Sequence, residues 1–292
     1  VTALPMQGAS WDHGAVSHRP EDHPRMCFDL DSRPPIAPIA GGALDAAPLM
    51  LTAADRNRFA AFRARATEPT GAGIVILPDA RGLHPFYEEL ALRFAEHGID
   101  ALAMDWFGRT AGPEPRGDDF DYMPHVAQTT WPGISADIVA AVEELRAPDG
   151  DRPAPTAVFT IGFCMGGRMS FLAATLGLEL AGVIGLYGTL VGPWRNDAPE
   201  PVEAAARFGS PVLGLFGGAD TAIKPEHITA FDAALSAAGV DHRLVTYPGA
   251  PHSFFDRKAA EFAEASAAAW DEVLAFVTAG TPPLQRSAPA DR

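Results

Sequence analysis

The chain has 292 residues, of which 47% are hydrophobic and 20% are charged. This length fits one large α/β domain, and this composition excludes a fibrous protein, a coiled coil and wholesale disorder. Lysine and arginine number 22 against 37 acidic residues, and the resulting net charge of −15 argues against nucleic acid or a membrane as a partner.

The amino-terminal region is rich in Pro, Gly, His and Asp and lacks a sustained hydrophobic period, which predicts an extended arm over residues 1–47. It does not show the apolar core of a signal peptide, and no apolar run in the chain approaches the roughly 20 residues of a transmembrane helix. Only two cysteines occur, Cys27 and Cys164, which suits a reducing compartment. We therefore expect a cytoplasmic protein.

Two apolar runs follow from Pro48, separated by a short polar loop, and predict a β-hairpin. Strands and helices then alternate, which implies right-handed crossovers and an α/β fold with a doubly wound, mostly parallel sheet. The hairpin forms an antiparallel edge, helices cover both faces, the domain spans residues 48–279, and residues 280–292 form a flexible tail. The predicted strands lie at 72–77, 99–104, 156–162, 181–187, 211–216 and 243–247, and the predicted helices at 86–97, 133–146, 166–176, 225–238 and 258–277.

Two connections, 105–132 and 188–210, are much longer than the usual two to six residues. In an open α/β sheet, ligands bind beyond the carboxyl ends of the strands, where both connections emerge. We therefore predict that they form the walls of a pocket. Aromatic side chains at this edge would suit a flat conjugated ring: Trp106, Phe107, Tyr122, Trp131, Tyr187 and Trp194.

The segment TIGFCMGG at 160–167 lies between a predicted strand and a predicted helix. Gly162 and Gly166 flank Cys164 at two residues on either side, the pattern of a nucleophile elbow. The start of the following helix would lower the pKa of the thiol. Cys164 is therefore the candidate nucleophile.

Partners for this thiol follow in the order acid, then histidine. Asp220 comes directly after one strand and His252 directly after the last strand, so both are predicted at the same edge as Cys164. Taken singly, each has a simpler interpretation: a core cysteine, a helix-capping aspartate or a loop histidine. Together, their order favours a Cys–His–Asp triad. Without an HExxH or CxxC motif, we expect no metal site.

These residues, the run PGAPHSFF around His252 and the run LPDARG at 77–82 resemble the dienelactone hydrolase family, also called carboxymethylenebutenolidases, of the α/β-hydrolase fold. The resemblance covers about residues 48–277. It implies hydrolysis of a small ester or enol-lactone through a thioester acyl-enzyme, without a cofactor. It also implies an oxyanion hole made by the backbone N–H groups of Met165 and Ala80.

The family activates its thiol with a glutamate after the first core strand, and here Asp79, one methylene shorter, stands at that position. The family also binds the substrate carboxylate with two arginines. Arg109 matches the first of these. At the second position the chain has Asp256, followed by Arg257.

Arg81 and Tyr187 are further candidates for contacts with the substrate, because Arg81 follows one predicted strand at this edge and Tyr187 ends another. The displaced second arginine leaves room for a broad carboxylesterase or thioesterase. A binding module without catalysis, and a redox sensor that pairs Cys164 with Cys27, are alternatives from other classes. The protein is expected to be a monomer or a homodimer.

Overall fold

The structure is a computed structural model that describes residues 32–39, 43–114, 116–117, 119–194 and 197–282. Most of the predicted arm, including Cys27, and most of the predicted tail lie outside these residues. The end of the arm lies against the body of the domain, since Arg33 pairs with Glu89 and the backbone N–H of Ile39 donates to the carboxylate of Glu96.

Eight strands form one sheet, and four of the central strands are buried along their whole length because nearly all of their residues are apolar. In chain order the strands are β1 Ala43–Thr52, β2 Arg58–Ala66, β3 Ala72–Leu77, β4 Asp100–Met104, β5 Ala157–Phe163, β6 Gly182–Leu186, β7 Val212–Gly217 and β8 His242–Tyr247.

The helices begin and end at recognisable signals. Pro85 begins α1, and the hydroxyl of Thr130 accepts the backbone N–H of Gly133 at the start of α4. Gly239, with φ +69°, ends α7. The helices are α1 Pro85–Glu96, α2 Gly108–Ala111, α3 Met123–Val126, α4 Trp131–Arg146, α5 Met165–Ala173, α6 Pro201–Ala204, α7 Pro225–Ala238 and α8 Ala263–Ala279.

The strand order is β1-β2-β4-β3-β5-β6-β7-β8. The pairs β1–β2 and β2–β4 are antiparallel, whereas the pairs β4–β3, β3–β5, β5–β6, β6–β7 and β7–β8 are parallel. This confirms the predicted α/β fold with an antiparallel hairpin at one edge. Because the parallel strands point the same way, the loops that follow β3, β5, β6, β7 and β8 emerge together at the carboxyl edge.

The structure differs from the predicted boundaries in three places. Strand β1 begins at Ala43, before the predicted start at Pro48, because an edge strand tolerates a proline that donates no hydrogen bond. The long connections contain the short helices α2, α3 and α6, which carry too few residues for a visible hydrophobic period. The last helix begins at Ala263, because residues 252–262 form turns.

Candidate active site

The turn between β5 and α5 holds Cys164 in a backbone conformation that side chains rarely adopt, with φ +53° and ψ −111°. Such strain costs about 1 to 3 kcal/mol and is retained where the surrounding structure enforces it. Here the two flanking glycines permit the tight turn, because neither position has room for a Cβ. A Cβ on Gly162 would lie 1.9 Å from the carbonyl oxygen of Gly166, and a Cβ on Gly166 would lie 2.1 Å from that of Leu77.

His252 and Asp220 form a hydrogen-bonded pair, with 2.7 Å between Nδ1 of the imidazole and Oδ2 of the carboxylate. The other oxygen of Asp220 accepts the backbone N–H groups of Ala222 at 2.8 Å and Ile223 at 3.3 Å. The Asp220 side chain is fully buried, whereas a quarter of the His252 side chain is exposed. A carboxylate bound at Nδ1 selects the tautomer whose Nε2 can accept a proton.

Tyr187, which follows β6, lies between the turn of Cys164 and this pair. The backbone N–H of Cys164 donates to the carbonyl oxygen of Leu186 at 3.1 Å, and the ring of Tyr187 lies 5.0 Å from that of His252, between centroids. Cys164 is half-buried. The three predicted triad residues therefore lie around Tyr187 at the carboxyl edge.

The two predicted oxyanion-hole residues lie on neighbouring turns. Met165 is the first residue of α5, and Ala80 follows β3, which pairs with β5. These turns touch, because a Cβ on Gly166 would lie only 2.3 Å from the carbonyl oxygen of Pro78. Both residues are buried. This geometry suits two backbone donors that converge above Cys164.

Asp79, the predicted thiol-activating residue, is buried and held at several points. Its carboxylate accepts the backbone N–H of Arg81 at 2.9 Å and lies 3.7 Å from the Arg81 Nε. Its backbone N–H donates to the hydroxyl of Tyr87, and its carbonyl oxygen accepts the indole N–H of Trp106, both at 2.9 Å. The activation of Cys164 by Asp79 stays a prediction.

Arg109 is engaged by the protein itself. Its guanidinium pairs with Asp55 in the hairpin loop, lies 2.7 Å from the buried carboxylate of Asp137, and donates to the carbonyl oxygen of Gly133 at 3.1 Å. These contacts join the hairpin to α4. They favour a structural role for Arg109 over the predicted contact with a substrate carboxylate.

Asp256, which stands where the family's second arginine is expected, is also engaged. It is buried, and its carboxylate accepts the hydroxyl of Tyr187 at 2.8 Å and the backbone N–H of Arg257. The hydroxyl of Tyr187 therefore donates to Asp256, while the ring of Tyr187 faces His252. A carboxylate here opposes the binding of an anion.

A cavity of about 590 Å³ lies on the hairpin side of this edge. The sequence assigned residues 105–132 to a pocket wall, and part of that connection does line this cavity. Arg81, a predicted candidate for contact with the substrate, also lines it. The other walls were not predicted, because no local motif marks them. The lining residues are Pro48, Leu49, Met50, Ala60, Ala61, Arg81, Leu83, His84, Pro85, Glu88, Pro113, Glu114, Arg116, Gly117, Phe120 and Tyr122.

The second long connection is held against α5 instead. The guanidinium of the buried Arg168 donates to the carbonyl oxygens of Gly192 at 2.9 Å, Ala198 at 3.0 Å and Pro199 at 2.8 Å. Burial lowers the pKa of Arg168 to about 10. Among the described residues of this connection, 188–194 and 197–210, none lines the cavity, so its predicted role as a wall is not supported for this pocket.

Metal ligands do not cluster in the described part of the chain, where no group of three or more His, Cys, Asp or Glu side chains could hold an ion. Among the same residues, no helix is both long and apolar enough to cross a membrane.

A mostly parallel sheet with a glycine-flanked cysteine turn and an acid–histidine pair at its carboxyl edge is typical of the α/β-hydrolase class. Within this class the chain belongs to the dienelactone hydrolase family, whose model matches residues 59–280. This confirms the resemblance seen in the sequence. The protein is therefore a hydrolase of the carboxylic ester and lactone type.

Comparisons with individual proteins agree with this family assignment. A candidate carboxymethylenebutenolidase of Salmonella typhimurium is 31% identical over 225 residues, which cover 73% of this chain and 80% of the relative. The crystal structure of a candidate dienelactone hydrolase from Klebsiella pneumoniae matches with a TM-score of 0.66 and 26% identity, over 80% of this chain and 99% of that one. A dienelactone hydrolase-like promiscuous phosphotriesterase from metagenomic libraries shares the fold, with a TM-score of 0.65 and 22% identity over 81% of this chain and 99% of that one.

Proposed function

We propose that the protein hydrolyses small esters or lactones through a Cys164–His252–Asp220 triad and a thioester acyl-enzyme. The observation that carries this proposal is the strained conformation of Cys164 at the start of α5, at the same edge as a histidine whose Nδ1 is fixed by a buried carboxylate. A structural cysteine has no need of that strain.

In the first half-reaction, Nε2 of His252 takes the thiol proton and the sulfur of Cys164 attacks the carbonyl carbon. The carbonyl oxygen becomes an oxyanion, which the backbone N–H groups of Met165 and Ala80 stabilise. As the carbon–oxygen bond breaks, the imidazolium returns its proton to the leaving oxygen. An ester releases its alcohol, whereas the alcohol of a lactone stays attached to the acyl group.

In the second half-reaction, water attacks the thioester carbon while His252 takes one of its protons. The carbon–sulfur bond then breaks, the carboxylic acid leaves and the thiol regains its proton. Asp220 orients the imidazole and offsets its positive charge in both steps.

The arginine contacts favour a broader range of ester substrates than the dienelactone after which the family is named. Arg109 is bound by Asp55 and Asp137, and Asp256 occupies the place of a second anion anchor. A substrate carboxylate would have to compete with Asp55 and Asp137 and would approach Asp256, a like charge.

The test is a stopped-flow assay with p-nitrophenyl acetate and a dienelactone in parallel, on the wild type and on Cys164→Ala. We expect a burst of p-nitrophenolate and steady turnover in the wild type, and at least a 10³-fold lower rate in the variant. Mass spectrometry of the quenched reaction should detect the acyl group on Cys164. Equal rates in the two proteins would refute the triad.

The ratio of the hydrolysis rates of the two substrates tests the substrate class. Hydrolysis of p-nitrophenyl acetate with little activity on the dienelactone supports the wider ester class. A strong preference for the dienelactone would mean that an arginine binds its carboxylate despite the contacts described above.

A further inference from the structure

The cavity of about 590 Å³ lies on the opposite side of Cys164 from the acid–histidine pair. Its walls come from the hairpin, the start of α1 and the connection that follows α2, whereas Asp220 and His252 follow β7 and β8. Its volume falls in the range of about 300 to 1,000 Å³ that is typical of sites for small organic ligands. The sheet therefore carries two different regions at one edge, with the nucleophile between them.

Arg81 connects the cavity to the predicted oxyanion hole. It lines the cavity, and it directly follows Ala80 in the turn after β3. The same turn touches the start of α5, since Gly166 approaches the carbonyl oxygen of Pro78 so closely that no Cβ would fit. Cys164 and His252 are not among the lining residues, so a group bound at Cys164 would have to extend past Arg81 to enter the cavity.

Carboxylates balance the arginines of the cavity. Nη1 of Arg116 lies 2.8 Å from Oδ1 of the fully buried Asp105, and Nε of Arg81 lies 3.7 Å from Oδ2 of Asp79. Two further carboxylates, Glu88 and Glu114, line the walls. The cavity therefore holds no surplus of positive charge to bind an anion.

The remaining polar groups also favour an uncharged ligand. Burial, together with the positive charge of Arg81, lowers the pKa of His84 to about 3, so its imidazole is neutral near pH 7. Burial raises the pKa of Glu88 above its ordinary value. The guanidinium of Arg116 lies over the ring of Phe120, 4.9 Å from its centroid. Most other lining side chains are apolar.

We infer that this cavity binds the uncharged, apolar acyl part of the substrate, such as a medium-length hydrocarbon chain or ring, and not a carboxylate. The orientation follows from proton transfer, because His252 must reach the leaving oxygen. The alcohol then leaves on the β7–β8 side, and the acyl group extends toward the hairpin. This inference rests on the proposed function.

Three p-nitrophenyl esters test the inference on the full chain: the acetate, the octanoate and the mono-ester of suberic acid, which has the length of the octanoate but ends in a carboxylate. Each buried methylene contributes about a fourfold gain in kcat/KM. We expect the octanoate to exceed the acetate at least tenfold in kcat/KM, and the suberate to lose most of that gain. A suberate that matches or exceeds the octanoate would overturn the inference.

A variant that reduces the volume of the cavity tests whether the preference for the octanoate arises there. Leu49→Trp fills the cavity from β1 and should lower the octanoate-to-acetate ratio of kcat/KM at least tenfold. Thr52→Trp, on an exposed position of the same strand that does not line the cavity, is the matched control and should keep the ratio. If Leu49→Trp does not fold, Ala60→Phe fills the same space from β2. An unchanged ratio in a folded filling variant contradicts the inference.

Binding without catalysis separates this inference from the proposed function. In the Cys164→Ala background, the neutral fluorescent dye N-phenyl-1-naphthylamine should bind, and Leu49→Trp should weaken its binding at least tenfold whereas Thr52→Trp should not. If p-nitrophenyl acetate is hydrolysed without need of Cys164, the proposed function fails, while the dye still tests the cavity. Equal dye binding by the Cys164→Ala protein and by its Leu49→Trp and Thr52→Trp derivatives overturns the inference that the cavity binds an apolar group.

Discussion

The two sides of the carboxyl edge hold their polar residues in different ways. On the side of β5 to β8, backbone geometry positions the candidate catalytic residues, since glycines permit the tight turn of Cys164 and backbone N–H groups hold Asp220. On the side of the hairpin, ion pairs between distant side chains decide what each arginine can do, as for Arg109 with Asp55 and Asp137. The first arrangement fixes the candidate catalytic residues, and the second sets the charge near the cavity.

The largest expected effect concerns the acid of the triad. Asp220→Asn should lower kcat/KM for p-nitrophenyl acetate by about 10³-fold or more, because an amide that donates to Nδ1 selects the wrong tautomer of His252. Asp232→Asn is the matched control, since Asp232 also contacts a histidine, His242 at 3.2 Å, but at an exposed site. A loss below tenfold in Asp220→Asn, or equal losses in both variants, would contradict the triad.

The next effect concerns the turn itself. Gly166→Ala should cost about 2 to 3 kcal/mol of stability, because its Cβ would overlap the carbonyl oxygens of Leu77 and Pro78 and the turn would have to move. A melting temperature lower by about 5 to 10 °C, with a loss of activity, should result. At Gly209 a Cβ would lie 3.7 Å from its nearest contact, so Gly209→Ala should be mild in both measurements. Similar melting curves for the two variants would show that the turn is not constrained.

Much of the structure on the side of β5 to β8 could be predicted from the sequence because its signals are local. The glycines at 162 and 166 specify a turn by their spacing, Asp220 follows an apolar strand, and His252 follows the last strand. The alternation of strands and helices likewise predicted the sheet, with its parallel strands and its antiparallel hairpin. The positions of Asp220 and His252 follow from the strands that precede them, because parallel strands end at one edge of the sheet.

The hairpin side could not be predicted in the same way. Arg109 follows a strand and matches a family position, but its partner Asp55 comes from the hairpin loop and Asp137 from α4, and no local pattern links the three. Arg116 lies in a long connection without a period, although it lines the cavity and pairs with the buried Asp105. Such pairings depend on tertiary packing.

Arg109→Gln tests the structural role assigned to this arginine. The variant should lose about 2 to 3 kcal/mol of stability at pH 7, because it leaves the buried carboxylate of Asp137 with less compensation. Its kcat/KM for the dienelactone should stay within threefold of the wild type. Chemical denaturation and steady-state kinetics on the same preparation measure both. A tenfold rise in KM for the dienelactone alone, with stability unchanged, would instead make Arg109 a substrate contact.

The smallest expected effect is a pH dependence of stability that arises from Asp137. Burial raises the pKa of Asp137 from 3.8 to about 6, although Asn57 and Arg109 act to lower it. Between about pH 4 and pH 6 the folded protein therefore holds a proton that the unfolded chain has released. Stability from this group falls as the pH rises through that window and is constant above it.

Asp137→Asn removes this titration while nearly preserving the shape of the side chain. The free energy of unfolding of the variant, minus that of the wild type, should rise by about 1 to 2 kcal/mol from pH 4 to pH 7, because only the wild type pays for a buried charge at the higher pH. The loss of stability in Arg109→Gln should also depend on pH. It should be smaller at pH 4.5, where Asp137 is protonated, than at pH 7. A difference that does not change with pH would mean that Arg109 and Asn57 fully offset the burial of Asp137, and the hairpin side would then be held by balanced charges at every pH.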